Sequence, residues 1–145
     1  MNHLEGTKTS ASISAAVATS GTHSHEIDTI GTDYASIDVV FSNFTAAATN
    51  YATVLKVQQS DTAGSGQTDL GGVFTVTAGA GRTTGVGING AVCRFNVDLR
   101  GKKRYLTVRA TPGVAANIAT VARLAKMEDM PTTATGAGVD AFVSG

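Results

Sequence analysis

From Ala91 to Leu99 every second residue is apolar: Ala91, Cys93, Phe95, Val97 and Leu99 share one side, and Val92, Arg94, Asn96 and Asp98 the other. A period of two marks a half-buried strand, because successive side chains point to opposite faces of a sheet. The rhythm returns at 34–42, where Ile37, Val39 and Phe41 oppose Ser36, Asp38 and Ser42. At 51–59, Tyr51, Thr53, Leu55 and Val57 alternate with Ala52, Lys56 and Gln58; at 104–111, Leu106 and Val108 alternate with Tyr105, Thr107 and Arg109. The residues that fill surface helices (Glu, Lys, Leu, Gln) are scarce beside Thr, Ser, Val, Ala and Gly, so the expected fold is all-β.

Turn formers fill Ser60 to Asp69 and predict a hairpin whose return strand is Val73 to Thr77, with Phe74 and Val76 in the core. Gly101-Lys102-Lys103 predicts a tight hairpin between the strands on either side, and Ser20-Gly21 a further hairpin joining 13–19 to 22–30. The glycine-rich stretch 79–90 reads as a long mobile loop. Segment 115–126 fits a helix through Ile118, Val121 and Ala125 and a strand through Ile118, Thr120, Ala122 and Leu124; its β-branched residues and its surroundings favour the strand. Six to eight short strands predict a β-sandwich or jelly-roll-like single domain over 12–128, with an N-terminal arm at 1–11 and a C-terminal arm at 129–145.

Length agrees with one domain, since 145 residues is the usual size of a single core. With Cys93 the only cysteine, no internal disulfide can form and stability must come from packing, oligomerisation or a partner. Eleven Lys and Arg balance eleven Asp and Glu, so the electrostatic signature of a nucleic-acid binder is absent and association is favoured over repulsion. No stretch resembles a signal peptide or a membrane span, which predicts synthesis in the cytosol and no membrane partner.

The motifs that could carry chemistry each have a plainer reading. Gly85-Val86-Gly87-Ile88-Asn89-Gly90 spells a dinucleotide loop, but a strand follows where a helix N-terminus should hold the pyrophosphate. His23 and His25 fall on one side of a strand and could offer two metal ligands where a structural site needs four. Two polar histidines on a surface strand is the expectation, with a pH-sensitive subunit contact as the lesser alternative. Asp61 and Asp69 lack calcium-loop spacing and read as solvated turn residues. No nucleophile, base and orienting group stand in a catalytic spelling, and Glu5, Glu26 and Glu128 are the only glutamates, so neither enzyme activity nor a cofactor or metal is expected. Arg100, Lys102, Lys103 and Arg104 concentrate four cations around one turn, either to grip an acidic surface or as a solvated tip.

Two stretches go further than chemistry. The run from Tyr51 through Leu55, Val57 and Gln59-Ser60-Asp61, then Val92 to Thr111 through Asp98-Leu99-Arg100-Gly101-Lys102-Lys103-Arg104-Tyr105, resembles the capsid decoration, or cement, proteins of tailed bacteriophages. The resemblance covers roughly 34–126 and is most specific over Asp98 to Val108; the chain departs from it in carrying a bland loop where some relatives have aromatic residues. It implies a virion structural protein on the capsid surface that binds the major capsid protein, works as a homo-oligomer with a trimer expected, and stabilises the shell. The contact residues expected on this reading are Thr7, Lys8, Thr9, Ser10, Ala11 and Ser12 of the first arm and Arg100, Lys102, Lys103 and Arg104 of the basic turn. A tail or head–tail connector subunit is the first alternative and a host-glycan-binding module the second, the latter weakened by the absence of Trp.

Overall fold

The computed structural model describes residues 7–47, 50–76 and 89–125. Nine strands occur among them: β1 (Thr7–Val17), β2 (His23–Asp28), β3 (Tyr34–Phe41), β4 (Ala52–Ser60), β5 (Thr68–Asp69), β6 (Thr75–Val76), β7 (Ala91–Asp98), β8 (Tyr105–Pro112) and β9 (Ala116–Ala125). They form two antiparallel sheets packed as a sandwich. Sheet A runs β1-β9-β3-β7 and sheet B runs β2-β8-β4-β5, with β6 also paired to β4. The pairing is nested: β1 with β9, β2 with β8, β3 with β7, and β4 with β5 and β6. A long antiparallel hairpin rolled so that its rungs alternate between two sheets is a jelly roll, and its turning point is the 61–67 loop.

The apolar faces read from alternation make the core. Ile37, Val39 and Phe41 meet Phe95, Val97, Ile118, Ala122 and Leu124 of sheet A, and across the gap lie Ile27, Leu55, Val57, Leu106 and Val108 of sheet B. Segment 116–125 is a strand, central in sheet A between β1 and β3. In β4 the register shifts between Ala52 and Val54, so Ala52 is buried and Thr53 exposed, the reverse of strict alternation.

Three expectations need correction. The segments around Gly101 and around Ser20-Gly21 are not hairpins: β7 lies in sheet A and β8 in sheet B, β1 in A and β2 in B, so each turn arches across the sandwich. Residues 7–11, expected as an arm, are the first half of β1 and pair with Ala125 to Val121. The return strand after the 61–67 loop is split into β5 and β6 by a 3-10 turn at Gly72–Phe74. The C-terminal arm at 129–145 and most of the glycine-rich loop lie outside the described residues.

Candidate functional site

In sheet A the registers align four outward rows. Nearest the Gly101 turn, Thr7, Ala125, Tyr34 and Asp98 stand side by side, followed by Thr9, Arg123, Ser36 and Asn96, and then by Ala11, Val121, Asp38 and Arg94. The fourth row is wholly aliphatic: Ile13, Ala119, Val40 and Val92 cross all four strands. Ile13 is 77% exposed and Val92 67%. The polar rows border a concavity of about 830 Å³, bounded in part by Tyr34, Asp38, Arg94, Asn96 and Arg123.

Two bidentate pairs match most of the charge on this face, and Arg123, in no ion pair among the described residues, adds its charge to the attraction on Asp38. Arg94 donates from Nε and Nη2 to both carboxylate oxygens of Asp38, at 2.6 and 2.7 Å, and holds that carboxyl below its ordinary value. Arg100 grips Asp98 in the same bidentate way, lowering it to about 2, and its guanidinium lies 5.3 Å from the centre of the Tyr34 ring.

The predicted contact residues are drawn together only in part. Thr7 and Lys8 begin β1 at the end of the sandwich that carries the basic turn, whereas Thr9, Ser10, Ala11 and Ser12 run away from it along the sheet edge. Within the turn, Arg100 pairs with Asp98, Lys103 with Asp61 at 2.9 Å, and Arg104 with Asp28 at 2.7 Å. Lys102 alone among these four has no acidic partner among the described residues. Local pairing explains how so concentrated a charge sits in so neutral a chain: each paired cation returns to an aspartate at a neighbouring strand end.

Asp61 and Asp69, weighed as calcium ligands, are separated by their partners, Asp69 accepting from Lys56 and Gln58. Among the described residues no group of three or more His, Cys, Asp or Glu is placed to hold a metal ion. No described helix is long and apolar enough to cross a membrane.

His23 and His25 depart from the surface reading, for they point inward and are 1% and 6% exposed. His23 Nδ1 is 2.7 Å from the Ser14 hydroxyl and its Nε2 2.8 Å from that of Thr120, while His25 Nε2 is 2.9 Å from the Ser10 hydroxyl. These serine–histidine contacts do not make a nucleophile pair. A base needs a carboxylate or carbonyl behind it, and His23 has Thr120. Burial, with the charge of His23 beside it, lowers His25 to about 4, too weak a base for neutral pH.

The outer apolar row escaped the sequence reading although its signal was present. Val40 sits between Val39 and Phe41, and Val92 between Ala91 and Cys93, both at positions where alternation calls for a polar residue.

No family model matches the chain, and no curated protein does either. Among solved structures it is similar to a chitosan-binding module from a chitosanase/glucanase of Paenibacillus sp. IK-5, at 15% identity over 83% of this chain and 98% of that one, with a TM-score of 0.38. It is also similar to a subunit of Bacillus endospore appendages, disulfide-linked pili, at 13% identity over 82% and 86% of the two chains, with a TM-score of 0.35. Likenesses this distant assign no activity.

Proposed function

We propose that the protein is a capsid decoration subunit that lays the outer face of sheet A against an assembled viral coat and stabilises it. The observation that carries the docking half of this reading is the row Ile13, Ala119, Val40 and Val92. A sheet whose inner face already supplies the core gains nothing in folding from a second aliphatic row in water, and such rows mark surfaces that another protein covers. The coat as partner rests on the resemblance over 34–126. Binding to the expanded shell alone would stabilise that state by mass action against the pressure of packaged DNA.

The glycan-binding alternative has the concavity in its favour. It is weakened because Arg100 lies over the Tyr34 ring, the aromatic surface on which a sugar would stack, and because Asp38 and Arg94 already satisfy each other.

The test is to mix the purified protein with emptied, undecorated heads of the phage that encodes it, then follow co-sedimentation and the temperature at which the heads disrupt. Saturable binding that raises this temperature supports the reading. Absence of binding overturns it, and closed rings formed by the protein alone would favour the tail or connector alternative.

A further inference from the structure

The inward face of β1 is polar from Lys8 to Ser14. Cross-strand partners share a face, so Lys8, Ser10, Ser12 and Ser14, opposite the buried Leu124, Ala122, Thr120 and Ile118, point toward the core. The first buried apolar side chain of β1 is Val17, its last residue. This strand, at the edge of sheet A, is held by its ladder to β9 and by the hydrogen bonds of Ser10 to His25 and Ser14 to His23.

At the far end of β1 the backbone is strained. Ala16 has a φ of 49°, the left-handed region that a Cβ disfavours, and is held there by Asn117, whose Oδ1 accepts from the Ala16 N–H at 2.7 Å. The ladder shifts register between Ser14 and Val17, and the exposed turn beyond closes with Gly21 N–H donating to the Ala18 carbonyl at 2.8 Å.

We propose that β1 is an exchangeable strand, which leaves its own sandwich and docks on β9 and the β2 histidines of a second copy of this chain. A second copy is the occupant because it offers the same ladder to Thr7–Ser14, the same two imidazoles and the same Thr120, so these docking contacts are remade and only the Ala16–Asn117 bond of the hinge is given up. Only the hinge differs between the closed and exchanged forms, and extending it frees Ala16 from its left-handed backbone.

Acid opens the clamp. The groups facing the imidazoles are the hydroxyls of Ser10, Ser14 and Thr120, and β8 sets Val108 and Ala110 beside them. No carboxylate lies among these to offset a proton: Glu26 and Asp28 on β2, Arg109 on β8 and Arg123 on β9 occupy the opposite faces of their strands. Lys8, the one charged residue of β1, is near enough to Asp28 to lower that carboxyl. A protonated His25 would also bury an Nδ1–H without an acceptor among the described residues, where that atom has no partner.

The experiment mixes an Ala11→Cys chain with a Val121→Cys chain, both carrying Cys93→Ser, positions 11 and 121 being cross-strand neighbours. The mixture is held concentrated at pH 4.5, returned to pH 7.5 and oxidised. Exchange predicts a disulfide joining position 11 of one chain to position 121 of the other, at least tenfold more abundant than after mixing at pH 7.5 throughout. Linkage of 11 to 11 only, or none, overturns the proposal. Should the variants misfold, isotope-labelled and unlabelled wild-type chains taken through the same cycle give the answer by native mass spectrometry: mixed-label oligomers that appear after the acid step and not after mixing at pH 7.5 throughout support exchange, and equal mixing in both arms, or monomer at every concentration, refutes it.

Discussion

The Thr120 hydroxyl and His23 Nε2 are 2.8 Å apart, a buried hydrogen bond that ties β9 of one sheet to β2 of the other. Burial depresses the pKa of His23 from 6.5, and burial with the His23 charge takes His25 to about 4. The unfolded chain therefore binds protons that the folded chain refuses, so stability is fully present above pH 6.5 and falls as pH drops toward 4. For His25 the loss stays below about 3 kcal/mol, because water that still reaches the ring screens part of the charge. Aspartates gripped by arginine, such as Asp98 at about 2, titrate lower and leave this window to the histidines. Urea midpoints should fall from pH 7.5 to pH 4.5, and a His25→Asn chain should show a flatter decline; equal slopes would refute this account.

Gly113 is set against the chain entering β4. A Cβ there would run into the Asn50 carbonyl oxygen, while the Gly113 N–H donates to Tyr51 O at 3.2 Å, so neither backbone can yield alone. Gly101, with φ at 76°, has open space around its Cβ position and would meet only local strain. Gly113→Ala should lose about 2 kcal/mol or more and Gly101→Ala about 1 kcal/mol. Denaturant titration of the two variants checks the order, which is the informative part.

The strand assignment of 116–125 carries its own contrast. Leu124 is fully buried on the inward face of β9, and Ile13 stands in solvent on the outward face of β1. Leu124→Ala should lose about 2–5 kcal/mol and Ile13→Ala less than about 0.5 kcal/mol, again by urea midpoint.

Alternation made the core strands legible because burial on one face leaves a period of two, as Ile37, Val39 and Phe41 or Phe95, Val97 and Leu99 show. It did not reveal which strands pair. Gly101-Lys102-Lys103 has the chemistry of a tight turn, but whether the chain returns within one sheet or arches to the other is decided by where β3 and β4 offer edges, tens of residues away. The histidines were misplaced for a related reason: their burial depends on hydroxyls of Ser10, Ser14 and Thr120, which local sequence does not bring together. Likewise the basic turn lost most of its free charge to Asp28, Asp61 and Asp98, partners visible only once the strand ends are assembled.

If the outer face of sheet A meets the coat, the aliphatic row and the basic turn make separable predictions. Ile13 and Val92 are more than half exposed, so Ile13→Lys with Val92→Lys leaves the core untouched while placing two charges into the proposed contact. Burying an unpaired charge in an interface opposes binding strongly, and occupancy on undecorated heads should drop at least tenfold at unchanged urea stability. For the turn, reversing Arg104 would also set two negative groups together at Asp28, whereas Lys102 makes no ion pair among the described residues and acts on Asp98 only through its charge. Lys102→Glu is thus the cleaner probe: weaker attachment, more so at low salt, places the turn in the contact. Unchanged occupancy for Lys102→Glu beside a loss for the double lysine variant would confine the contact to the sheet face, and unchanged occupancy for both would remove that face from the docking reading.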